Sequence, residues 1–110
     1  MAYRSVEQIN DIVYRFYTLL LNDGYPVEKV FLFGSQIKNE IKTDSDIDIA
    51  IVLKKYSKDR FTTRLELMKY CRQFDEVIEP HPFLSSEFND ENPFSATIVR
   101  EGIEVYSNHI

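Results

Sequence analysis

Two small residues and two carboxylates stand in an order that can handle phosphate: Gly34-Ser35, ten intervening residues, then Asp46-Ile47-Asp48. From Asp46 to Leu53 the chain is β-branched and apolar apart from those two acids, and alternate side chains of a strand share a face. Asp46, Asp48, Ala50 and Val52 therefore point one way, and Ile47, Ile49, Ile51 and Leu53 the other. The isoleucine face belongs in the core, so the carboxylates stand side by side on the opposite face. Two ionised carboxylates about 4 Å apart repel by roughly 4 kcal/mol at an effective dielectric of 20. Either one keeps a proton, as in a dyad, or a cation lies between them. A hard divalent ion such as Mg²⁺, which combines a few carboxylates with phosphate oxygens, is the better match. Gly34 lets the backbone approach a ligand closely. Ser35 and the free N–H groups of a following helix can then meet phosphate.

The neighbouring elements must position these residues. Val27 to Phe33 is an apolar run ending at Gly34 and reads as a buried strand. Before it, Ile9, Ile12, Val13, Phe16, Tyr17 and Leu20 recur three and four apart, the spacing of an amphipathic helix. Ser5 is its predicted N-cap, and Asn22-Asp23-Gly24 with Pro26 ends it. Ser35 to Thr43 is polar and predicts a short helix and a turn. Ser57 to Phe74 returns to helical spacing, with Phe61, Leu65, Met68 and Cys71 on one face assigned to the core. Asp75 to Phe83 is extended, because Pro80 and Pro82 forbid a helix and mark an edge or a strand end. Pro93 opens a short helix to Arg100, Gly102 ends it, and Ile103 to Tyr106 forms a last strand. The order predicts an α+β fold, a small mixed sheet with helices packed mainly on one face.

Composition narrows the function. The 110 residues make one domain, 1–110, and 44% of them are hydrophobic, enough for a core. The net charge of −5 argues against nucleic acid as the main partner. A lone cysteine, Cys71, forms no internal disulfide and suits a reducing cytoplasm. Glu7, Asn10, Asp11 and Arg15 interrupt any signal-peptide layout, and no apolar run approaches the ~20 residues of a membrane span. The expected setting is cytoplasmic, away from membranes.

Gly34-Ser35 followed at this spacing by Asp46-Ile-Asp48 resembles the signature of the polymerase β-like nucleotidyltransferase superfamily, and residues 5–106 can be laid onto its short members, the minimal nucleotidyltransferases. The resemblance implies two Mg²⁺ ions held by three carboxylates, and transfer of a nucleotidyl group, usually AMP from ATP, to a hydroxyl. Asp46 and Asp48 are then metal ligands, and Gly34 and Ser35 hold the nucleoside triphosphate. Lys38 stands in Gln36-Ile37-Lys38-Asn39 where the family often has x-Ala-Arg-Gly; it keeps a positive charge without a bidentate fork. The third carboxylate is expected on the next strand. Glu79 is the first choice, in Glu-Pro-His-Pro-Phe where similar sequences carry Asp-Pro-His-Pro-Phe, with Asp75 as the substitute.

Larger relatives use extra domains for the acceptor, so the acceptor here is expected to be a separate molecule or a partner subunit. Stand-alone proteins of this kind are similar to antitoxins whose partner is an all-helical HEPN toxin, modified on a tyrosine. Two other functions stay open: a catalytically weak or inactive module that neutralises its partner by contact, and an adenylyltransferase acting on a small molecule such as an aminoglycoside. His81 is assigned a structural role or a contact beside the site, His109 none, and Cys71 a place in the core. Lys54, Lys55, Lys58, Arg60 and Arg64 are assigned to a solvated helix start.

Overall fold

The computed structural model describes residues 6–33, 47–74 and 78–108. Seven elements follow in order: α1 (Val6–Asn22), β1 (Val27–Phe33), β2 (Ile47–Leu53), α2 (Arg60–Cys71), β3 (Ile78–Leu84), α3 (Pro93–Glu101) and β4 (Ile103–Ser107), with a 3-10 turn at Arg72–Phe74 extending α2. The predicted N-cap Ser5, the helix expected from Ser35 to Thr43, Asp75 and His109 lie outside the described residues, as do Gly34, Ser35, Lys38 and Asp46.

The four strands form one mixed sheet in the order β3-β2-β1-β4. β1 runs antiparallel to both β2 and β4, while β2 and β3 are parallel. A parallel pair needs a long crossover, usually a helix, and α2 supplies it. The fold is α+β, as the sequence predicts.

Ile9, Val13, Phe16 and Leu20 of α1 are fully buried with Ile47, Ile49, Ile51 and Leu53 of β2 and with Leu67 and Cys71 of α2. Burying each such side chain is worth about 1.5–3 kcal/mol, so this layer holds the helices to one face. The opposite face of β2 is also covered. Ala50 and Val52 lie with Phe31, Phe83 and Ile98 in a second, smaller cluster under α3. Asn92 caps α3, accepting from the N–H groups of Phe94 and Ser95, and Pro93 opens it. At Gly102 a Cβ would come within 2.6 Å of the Ile98 carbonyl oxygen and 2.9 Å of that of Leu32, so only glycine lets α3 turn straight into β4. Gly24, with φ of 89°, makes the turn after α1. No helix among the described residues is long and apolar enough to cross a membrane.

One assignment from the sequence is overturned. Phe61, Leu65 and Met68 are 67%, 48% and 44% exposed, and the residues that α2 buries are Thr63, Leu67 and Cys71. Polar contacts on both flanks set the rotation. On one side Glu66 accepts from Tyr25 Oη and Ser57 Oγ, at 2.8 and 3.1 Å. On the other, Arg60 Nε donates to the Pro82 carbonyl at 3.2 Å. Apolar spacing alone picked the wrong stripe because Thr63 faces inward, its Oγ1 accepting from the Ser57 N–H.

Candidate metal and nucleotide site

The register of the central strands builds the site. Asp48 is opposite Phe33 on β1 and opposite Glu79 on β3, and His81 is opposite Ala50. Period two puts Asp48, Glu79 and His81 on the sheet face that carries α3. One ligand atom from each lies within 4.8 Å of the others. Glu79, the first choice for a third carboxylate, is thus brought to Asp48.

The set has chemistry suited to a divalent ion. Two carboxylates offer hard oxygen donors, and an imidazole can ligate or support them. His81 Nε2 lies 3.3 Å from Asp48 Oδ1, a contact in which the ring N–H donates to the carboxylate. The same ring meets Phe33 edge-on, with centroids 5.2 Å apart. His81 is therefore held between an apolar ring and an acid, which fixes its plane and one Asp48 oxygen. The other Asp48 oxygen and the Glu79 carboxylate remain for a cation.

Arg64 enters from α2, its Nη2 3.6 Å from Glu79 Oε1. Both side chains are about two-fifths exposed, so the pair contributes at most about 1 kcal/mol to stability. Its charge matters more for the site, since it stands beside a donor that a metal would need. No local pattern in the chain marks this contact. His81 had one: it is two residues from Glu79, hence on the same face.

A cavity of about 490 Å³ lies at the other end of the sheet, lined by Asp23, Tyr25, Lys55, Ser57, Glu66 and Tyr70 among others. Its polar groups bond to one another: Tyr25 and Ser57 to Glu66, and Tyr70 Oη to Asp23 at 2.6 Å. Burial and the bond to Glu66 raise the Tyr25 phenol further above its ordinary range. These groups pin α2 to the loops. Cys71 is buried and its thiol is pushed up to about 12 by desolvation, so it is a core residue and no nucleophile.

Residues 18–110 match the family described as polymerase beta, nucleotidyltransferase. Over 100 residues, covering 91% of this chain and 96% of the relative, the sequence is 26% identical to a candidate protein adenylyltransferase of Methanocaldococcus jannaschii. A candidate nucleotidyltransferase of Sulfolobus solfataricus has a similar structure, with a TM-score of 0.64 and 15% identity over 90% of this chain and 80% of that one. A chain from the Shewanella oneidensis complex of a tri-AMPylated HEPN toxin with MNT antitoxin gives 0.60 and 20%, over 94% of this chain and 74% of that one. At these identities the structural likeness speaks for the fold.

Proposed function

Because the chain belongs to the polymerase β nucleotidyltransferase family, we propose that it transfers AMP from Mg-ATP to a hydroxyl, a tyrosine of an all-helical HEPN-type toxin, and so acts as an antitoxin. The observation that carries this reading is the meeting of Asp48 and Glu79 across β2 and β3, at the mouth of the strand that leads into Gly34. The named relative and the toxin–antitoxin complex support the acceptor class.

In this reading Asp46, Asp48 and Glu79 hold two Mg²⁺ ions, and Gly34, Ser35 and Lys38 hold the triphosphate. The bound ions supply charge neutralisation and in-line alignment of the reacting oxygens. The acceptor oxygen forms a bond to the α-phosphorus while the bond from that phosphorus to the bridging oxygen of the β-phosphate breaks, and pyrophosphate leaves. Glu79 accepts the hydroxyl proton. His81 orients Asp48, and Arg64 keeps the Glu79 carboxylate turned toward the cleft.

Incubation with α-labelled ATP, Mg²⁺ and a purified HEPN-type protein tests the proposal. Label should enter that protein, and Asp48→Ala or Glu79→Gln should abolish it. A second reading, a module that neutralises its partner by contact, is favoured by the Arg64 guanidinium, which already answers the charge of Glu79. It wins if Asp48→Ala neutralises the toxin as well as the unaltered chain does without nucleotide.

A further inference from the structure

We infer that the exposed flank of α2, beside the open edge of β3, is where the acceptor protein docks, through an amphipathic helix that carries acids along its apolar face; the inference takes its partner from the antitoxin reading above. Phe61, Leu65 and Met68 recur four and three apart on α2 and form one stripe, and all three are exposed. Arg64 and Arg72 stand four residues to either side of Met68 and border that stripe. The acid of this helix, Glu66, is turned to the opposite flank, where Tyr25 and Ser57 donate to it. Phenylalanine, methionine and arginine are the residue types that protein interfaces concentrate.

The stripe borders a groove. A cavity of about 330 Å³ between α2 and β3 is lined by Arg64, Met68, Arg72, Ile78 and Glu79 among others. Glu79 joins it to the cluster with Asp48 and His81, so a partner seated in the groove lies next to the carboxylates that would act on its hydroxyl. Arg64 has donors left to give. Its contact with Glu79 is long, at 3.6 Å, and its buried Nε meets no acceptor among the described residues. Arg72 is exposed.

Charge and edge chemistry select the occupant. The chain carries a net charge of −5, yet this flank presents arginines, and it therefore attracts an acidic surface. A second copy of the chain, related by a two-fold axis, would set these arginines against the same arginines. The overall charge disfavours nucleic acid. An added strand is poorly received, because β3 ends the sheet with Pro80 and Pro82, which have no N–H to offer. A helix laid in the groove by its side chains meets none of these objections.

Binding to the purified HEPN-type protein is measured without nucleotide by biolayer interferometry, on the full chain, on the double variant Phe61→Ala with Leu65→Ala, and on Arg72→Glu. Transfer from α-labelled ATP is followed on the same samples. Both α2 variants should keep the urea midpoint within the small cost of exposed sites and weaken binding about tenfold or more, Arg72→Glu chiefly by slowing association at low salt. At saturating acceptor they should transfer label at the unaltered rate, so the loss lies in KM. Tyr14→Ala, which removes an exposed ring from α1, should bind as the unaltered chain does. The inference is overturned if both α2 variants keep their affinity, if Tyr14→Ala loses as much as they do, or if the variants abolish self-association while acceptor binding persists. If binding depends on α2 yet no label enters the acceptor, the docking surface stands and the transfer reading falls. If label enters equally with every variant at low acceptor concentration, the docking surface falls and the transfer reading stands.

Discussion

The rotation of α2 decides whether Arg64 can stand beside Glu79, and it can be tested through stability. Leu65 and Leu67 lie roughly 160° apart around the helix, so only one of them can face the sheet. Leu67 is 0% exposed within the main core. Leu67→Ala removes buried methyl groups and leaves a cavity, which costs about 3 kcal/mol on the scale of buried leucine truncations. For a domain near 100 residues that lowers Tm by about 12 °C. Leu65 is half exposed, and truncating it leaves no closed cavity. Half of a leucine transfer term gives a cost of about 1 kcal/mol or less. The chain has no Trp, so urea unfolding followed by far-ultraviolet circular dichroism is the suitable assay. Comparable losses from the two variants, or a larger loss from Leu65→Ala, would refute the observed rotation and with it the placing of Arg64.

His81→Ala should lower Mn²⁺ affinity about ten- to hundredfold with an unchanged circular dichroism spectrum; equal affinity by electron paramagnetic resonance would remove His81 from the site. Glu79→Asp retracts the carboxylate by about one bond, ~1.5 Å, from its neighbours, so Mn²⁺ should bind more weakly, and tighter binding would count against the present register. Asn92→Ala removes the acceptor for two N–H groups of α3 and should cost about 1 kcal/mol, read from the urea midpoint. The Cys71 thiol, raised from 9.0 to about 12 by burial, should resist alkylation at pH 8 until urea unfolds the chain. Since the unfolded thiol gives up its proton first, stability should also fall as pH climbs from about 9 toward 12.

How much of this was legible depends on how local each signal was. The alternation of Ile47, Ile49 and Ile51 against Asp48, Ala50 and Val52 marked β2 and its two faces, and the core holds those isoleucines. Pro93 and Gly102 marked both ends of α3. The order of the strands carried no local mark, nor did the contact of Arg64 with Glu79, which joins residues fifteen positions apart. The stripe Phe61, Leu65 and Met68 read as core because hydrophobic spacing was the only signal available. Tyr25, Ser57 and Pro82 outvoted it through polar contacts that a helical pattern does not contain. Gly34, Ser35, Lys38 and Asp46 lie outside the described residues, and their roles rest on the sequence alone.

The two prolines of β3 explain why the site forms in one register. Proline has no N–H to give to a ladder, so Pro80 and Pro82 suit only positions whose N–H would face away from β2. Pro82 does face away, since its carbonyl accepts from Arg60. The alternate residues Glu79, His81 and Phe83 then carry the backbone bonds to β2. A slip by one residue would turn both prolines toward β2, break the ladder there, and send Glu79 and His81 to the core face. The same parity that keeps β3 an edge strand therefore holds Glu79 on the face of Asp48, which it meets in the observed register. Arg60, assigned from the sequence to a solvated helix start, helps hold that alignment from outside.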